Sequence, residues 1–186
     1  MSARSTPTRY GSVAIALHWS SALLIFAALA LGLVAASTID PGVKLWIVRV
    51  HVACGGLALL LTVTRIGWWI WRDKHPAPPP GQPVAQAWAA RIVHALLYLA
   101  ILILGTSGIA TIILSGAGPA LLAGTPLPDF SDVLPRLVHG VMSRLLLLLF
   151  ALHTGAALYH QFIRRDRLMA RMGLGHAEPV RTQGMP

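Results

Sequence analysis

Four apolar runs dominate the chain, at positions 13–36, 45–71, 88–115 and 134–163, each broken only by scattered polar side chains. A helix rises about 1.5 Å per residue, so a ~30 Å hydrocarbon layer takes about 20 residues and every run is long enough to cross it. The breaks between the runs carry turn chemistry. Asp40-Pro41-Gly42 lies in the first, and His75-Pro76-Ala77-Pro78-Pro79-Pro80-Gly81 lies in the second. The third break, 116–133, is the longest, and Leu121, Leu122 and Phe130 place part of it in the membrane interface. The pattern predicts an all-α integral membrane four-helix bundle, with an N-terminal segment 1–12, a helical domain 13–163 and a basic tail 164–186. No internal repeat and no separate domain is evident. The first run follows a basic, Ser/Thr-rich start, but it is too long for the apolar part of a signal peptide. No small-x-small cleavage site precedes the first break, so the run is expected to be retained.

Composition narrows the class. With 186 residues, 55% hydrophobic, 11% charged and a mean hydropathy of +0.67, the chain is not an ordinary water-soluble enzyme. Four crossings leave no room for a nucleotide-binding domain. The net charge of +9 reads as membrane topology rather than nucleic-acid binding. Arg4, Arg9, Arg65, Arg72, Lys74, Arg91, Arg164, Arg165, Arg167, Arg171 and Arg181 lie on the side of the termini, against Lys44, Arg49, Arg136 and Arg144 on the other. That asymmetry predicts that both termini face the cytoplasm.

Candidate chemistry lies in the histidines. His18, His51, His94, His139 and His153 fall within the apolar runs, and His160 lies near the end of the fourth. An ionisable ring at membrane depth needs a partner that offsets its desolvation. A haem iron is one: neutral imidazole ligates it through one nitrogen while the other donates to a carbonyl. The alternative for any single ring is an interhelical hydrogen bond. His139 and His153 are 14 positions apart, which at ~100° per residue puts them on nearly one face and about 21 Å apart along the axis. Two ligand levels follow. His51 matches His139 in depth from the outer side, and His18 matches His153 from the inner side. Spacing alone leaves His94 open in place of His18. Any haem is held without covalent attachment, because Cys54 is the only cysteine and no C-x-x-C-H run exists.

Other residues attach to this frame. Gly55, Gly140 and Gly155 offer room for a flat macrocycle, and Cys54 reads as a small apolar filler. Arg65 falls 14 residues after His51 and is a candidate partner of a haem propionate, as is the deeper Arg144. His160 and Lys74 are candidates for a quinone near the inner interface, with His75 at the same level. No catalytic side chain is assigned.

Several segments together are distinctive. Arg9-Tyr10-Gly11 leads to Ala16-Leu17-His18-Trp19. Val50-His51-Val52-Ala53-Cys54-Gly55-Gly56 leads to Thr64-Arg65. The run 76–80, then Val93-His94-Ala95-Leu96-Leu97-Tyr98, and finally Leu152-His153 to His160 complete the set. Over residues 9–165 the chain resembles the bacterial di-haem cytochrome b561 family. The resemblance implies two b haems with His18, His51, His139 and His153 as axial iron ligands, and a supporting role for His94. It also implies an inner-membrane superoxide:ubiquinone oxidoreductase, oxidising superoxide outside and reducing ubiquinone, as monomer or homodimer. In that family the fourth-helix ligand is often followed by an acidic residue. Here Gly140 follows His139, so any proton or substrate role of that neighbour is absent. Two other readings compete: a quinone-linked cytochrome b subunit of a larger dehydrogenase or hydrogenase, and a haem-free membrane packing or transport protein.

Overall fold

The computed structural model describes residues 2–79, 81–166 and 168–175. Arg181 and the end of the expected basic tail, 176–186, lie outside them, as do Pro80 and Arg167. Within the described residues the chain is helical. Four helices are long and apolar enough to cross a membrane: α1 (Ser12–Ser37), α2 (Pro41–Trp71), α3 (Val84–Leu114) and α5 (Leu134–Tyr159), the last continued by a π-helical turn (His160–Arg164). The short helices are α4 (Ala117–Ala123) and α6 (Leu168–Arg171).

Local chemistry explains the boundaries. The Asp40 carboxylate accepts from the Val43 N–H at 2.8 Å, and Pro41 stands in the first turn of α2, where it has no hydrogen bond to lose. The long third break contains α4, flanked by Gly116 and Gly124 at φ 69° and 83°, a conformation in which a side chain is strained. Arg49 of α2 holds the end of α4 by donating to the Leu121 and Leu122 carbonyls at 2.6 and 3.1 Å. Cations suit carbonyls left over at a helix C-terminus.

The bundle is two helical pairs, α1 along α2 and α3 along α5, with a smaller α2–α3 contact. Ala100, Leu104, Leu146 and Leu149 form the centre of its core, with Ile25, Leu29 and Met142 packed against them. Leu23, Phe26, Leu60, Ile113 and Leu148 are exposed on the outside. Water would penalise so much contiguous apolar surface, whereas lipid does not.

The two pairs repeat each other's contacts. In the first, His51 of α2 donates from Nδ1 to the Ala28 carbonyl of α1 at 2.8 Å, and Gly32, one turn on, faces the same ring. In the second, His139 of α5 donates to the Leu104 carbonyl of α3 at 3.0 Å, and Gly108 faces that ring. A repeat is therefore present where the sequence shows none. It resides in the register of a few contact positions among otherwise interchangeable apolar residues, too few to surface as sequence similarity.

The end of the bundle that carries the termini is clasped. Arg171 of α6 donates to the Thr8, Pro7 and Ala77 carbonyls at 2.9, 3.3 and 2.6 Å. The Trp19 indole donates to the Met172 carbonyl at 3.0 Å. Asp73 accepts from the Ser5 N–H and hydroxyl, the Lys74 N–H and the Trp68 indole. The N-terminal segment, the 73–79 loop and α6 thus form one cap over this end.

Candidate functional site: two levels of paired histidines

At the level remote from the termini, His51 and His139 face each other with ring centroids 5.9 Å apart and planes at 74°. Each ring is oriented by its own carbonyl across a helix interface, and Ser107 Oγ lies 3.3 Å from His139 Nδ1. Donation from Nδ1 fixes the tautomer and leaves Nε2 with its lone pair. The glycines make the approach feasible. A Cβ on Gly32 would stand 3.2 Å from the His51 ring, and one on Gly108 would stand 3.3 Å from the His139 ring.

At the level near the termini, His18 and His153 have centroids 6.3 Å apart with planes at 73°. His94 is nearer still to His153, at 5.0 Å and 77°. His94 Nδ1 donates to the Ala90 carbonyl of its own helix at 2.6 Å, whereas His18 Nδ1 is buried with no partner. Arg65 lies beside this cluster. Its guanidinium is 5.5 Å from the Tyr98 ring centroid, and its Nε is buried without a partner. Trp69 also carries a buried, unpartnered indole nitrogen and stacks on His75 at 3.9 Å. The loose nitrogens of Arg65 and Trp69 are donors in need of acceptors, and His18 Nδ1 donates or accepts according to its tautomer. Outside the membrane-spanning segments, burial together with nearby His94 and Arg65 lowers the His75 imidazole below its ordinary value. Burial raises the Tyr10 phenol, opposed by Arg171 and Arg65.

The donor set can be tested against a metal porphyrin. An imidazole nitrogen lies about 2 Å from a metal it binds, so two rings on opposite sides of one ion have centroids roughly 6 Å apart. The 5.9 and 6.3 Å separations match. Among the described residues no three His, Cys, Asp or Glu side chains gather as a cage for a bare metal ion. Two opposed imidazoles are instead the set that completes an iron whose equatorial positions are already filled. Gly55 is half-buried one turn from His51, and a Cβ there would meet nothing within 4 Å.

The remaining sequence candidates are placed less uniformly. Arg144 is exposed, on the face of α5 away from His139, and makes no hydrogen bond or ion pair among the described residues. Sequence depth alone overlooks that five helical positions turn a side chain through about 140° from its starting face. Gly155 is also exposed, with open space at its Cβ position. Gly140 serves another purpose: a Cβ there would stand 3.3 Å from the Arg136 guanidinium, which therefore lies over Gly140, one residue from His139. Arg136, Gly32, Gly108 and the Ala28 and Leu104 carbonyls are the functional candidates that sequence reasoning missed. The one available signal was that Gly32 and Gly108 follow His18 and His94 by the same 14 residues. His160 opens the π turn, where its Nδ1 pairs with the Asp166 carboxylate, and Arg165 adopts φ 54° to close the loop. Lys74 is exposed on the 73–79 loop.

Comparison with known proteins agrees with this architecture. The family model described as prokaryotic cytochrome b561 matches residues 9–175. Cytochrome b561 homolog 2 of Escherichia coli (strain K12) is 32% identical over 189 residues, covering 92% of this chain and 95% of that protein. The probable superoxide oxidase CybB of Yersinia pestis is 27% identical over 176 residues, covering 88% and 95%. Cytochrome b562 of Cereibacter sphaeroides is 30% identical over 123 residues, covering 66% and 65%. Four membrane-crossing helices, opposed imidazoles between them and a family match over most of the chain converge: this multi-pass membrane protein belongs to the prokaryotic cytochrome b561 family, electron-transfer cytochromes of the b-haem type.

Proposed function

We propose that the chain holds two b haems and passes electrons from superoxide on the periplasmic side of a bacterial inner membrane to ubiquinone near the cytoplasmic side. Both termini are then cytoplasmic, a reading that the distribution of basic residues supports. His51 with His139 would hold one haem on the periplasmic side, and His18 with His153 the other on the cytoplasmic side. The observation that carries this reading is the pair of imidazole separations, 5.9 and 6.3 Å, at two depths of one bundle. Bound haem would supply one-electron acceptance and donation, its potential set by axial ligation, burial and nearby charge.

The chain's own residues supply the rest. The Ala28 and Leu104 carbonyls orient the periplasmic imidazoles through Nδ1 and leave Nε2 with its lone pair for a metal. Arg65, with its unpartnered buried Nε, suits a propionate carboxylate on the cytoplasmic side. Arg136, held over Gly140, puts a cation beside His139 at the position where the family often carries an acid. A cation there favours approach of an anion, which is the charge of superoxide. Each superoxide gives up one electron and leaves as dioxygen, so two of them and two protons convert one ubiquinone to ubiquinol. His160, with Nδ1 held by Asp166, directs Nε2 toward a quinone carbonyl or a proton, and exposed Lys74 lies on the neighbouring loop.

The test begins with haem content per chain and spectra of the purified, full-length protein. Two b haems are expected, followed by reduction of both with a superoxide source and re-oxidation by ubiquinone. His51→Ala or His139→Ala should remove one haem and spare much of the other. Haems that stay oxidised while superoxide decays at its background rate would exclude superoxide as donor. A colourless protein would remove the haem reading altogether.

A further inference from the structure

Three imidazoles meet on the side of the bundle near the termini, where an axial pair needs two. His153 has His18 at 6.3 Å on one side and His94 at 5.0 Å on another, with nearly equal interplanar angles of 73° and 77°. The contact repeat makes these two neighbours equivalent. His18 stands ten residues before the Ala28 carbonyl and His94 ten before the Leu104 carbonyl. Those are the carbonyls that orient the two histidines of the other level. The same repeat equates His153 with Arg65, since each follows its paired histidine, His139 or His51, by 14 residues. A guanidinium cannot ligate iron, so the mirror-image site has one imidazole too few. His153 is left as the fixed partner of two equivalent candidates.

The preparation of those candidates differs. A ligating histidine is normally held by a hydrogen bond from its other nitrogen. His94 has that bond, from Nδ1 to the Ala90 carbonyl at 2.6 Å, and His18 does not, its Nδ1 being buried without a partner. His94 is also the closer ring, short of the roughly 6 Å expected for opposed ligands by an amount that rotation of one side chain can supply.

We infer that His94 is an alternative axial ligand: it and His18 compete for the position opposite His153, and His94 takes that position when His18 is lost or displaced. This rests on the proposed haem at His153.

The experiment uses the full-length protein as wild type, His18→Ala, His94→Ala and the double variant. It reads haem per chain, low-spin electron paramagnetic resonance and the response to added free imidazole. His18→Ala should keep two haems per chain, with one low-spin signal shifted and no response to imidazole. His94→Ala should keep two low-spin haems, with His18 opposite His153. The double variant should drop to one low-spin haem, and any second haem it retains should be high-spin and become low-spin on adding imidazole. A His18→Ala protein that behaves as the double variant does overturns the inference. Should that protein lose both haems, His18→Gln is judged by the same criterion, with the His51–His139 haem reporting that the bundle is folded. A wild type with fewer than two haems would instead overturn the reading on which the inference rests.

Discussion

Replacing Gly108 probes the orientation of His139 without touching a ligand. A Cβ at this position would stand 3.3 Å from Cε1 and 3.4 Å from Nδ1 of the His139 ring, inside the ~3.5–4.0 Å optimum for such contacts. In Gly108→Ala the ring must retreat by a few tenths of an ångström, which lengthens the 3.0 Å bond to the Leu104 carbonyl. In Gly108→Leu the further carbons allow no such compromise, and the bond breaks. Losing the partner that orients a metal-bound histidine typically lowers metal affinity 10–100-fold, or about 1.4–2.8 kcal/mol. Helix propensity acts in the opposite sense, because Ala is favoured over Gly inside a helix by about 1 kcal/mol. The two effects oppose each other in the melting temperature of Gly108→Ala, so haem retention, on which helix propensity does not act, is the decisive readout. The measurement is haem loss to excess apomyoglobin, followed at the alpha band, with thermal melting alongside. Gly32→Leu should reproduce the effect through His51, and Gly155→Leu, where the added carbon meets nothing within 4 Å, should not. Wild-type haem retention and spectrum in Gly108→Leu would refute the reasoning, as would equal losses in Gly155→Leu.

Other residues give sharper, smaller tests. Arg136→Gln should slow superoxide-driven reduction, flatten its dependence on salt and lower the potential of the neighbouring haem by on the order of tens of millivolts, because a nearby cation favours the electron-rich form; potentiometric titration and stopped-flow at two ionic strengths decide it. Asp166→Asn should leave haem reduction by dithionite unchanged but slow ubiquinone reduction, with His160→Ala more severe; unaltered ubiquinone reduction in both would separate the pair from quinone chemistry. Arg171→Ala removes three hydrogen bonds to exposed carbonyls, so about 1–2 kcal/mol of cap stability should disappear, visible as faster proteolysis within residues 2–11. Burial opposes the Asp73 charge but the Ser5 and Lys74 bonds outweigh it, holding the carboxyl below its ordinary range. The clasp is therefore fully present above that range and is lost as pH falls through the lowered value, and Asp73→Asn should abolish this acid sensitivity in the same proteolysis assay.

Hydrophobic period, turn chemistry and histidine depth made the bundle readable, because lipid solvation tolerates little else along the four apolar runs. The juxtaposition of His51 with His139 followed from counting turns alone. What escaped was lateral direction. Arg144 is turned about 140° around the helix from His139, while the Arg136 guanidinium lies over Gly140, the residue after His139. The internal repeat escaped for a related reason. Carbonyl positions such as Ala28 and Leu104 have no side-chain signature, since any residue supplies the acceptor, and only the glycines one turn further on are constrained in type.

The repeat also explains why the two levels differ in kind. His51 and His139 are equivalents of one another, so a site between them receives the same support from both sides: an interhelical carbonyl to one ring nitrogen and a glycine against the ring. His18 and His153 are not equivalents, and the partners the repeat assigns them, His94 and Arg65, add an imidazole and a cation to the same end. The position held by Arg65 in one helical pair and by His153 in the other makes one level symmetric and places a cation and a third imidazole at the other. Measured separately, the two proposed haems should therefore differ in potential, and Arg65→Gln should shift the one nearer the termini far more than the other. Equal shifts at both levels would mean that the cation acts through the fold as a whole rather than on its own end.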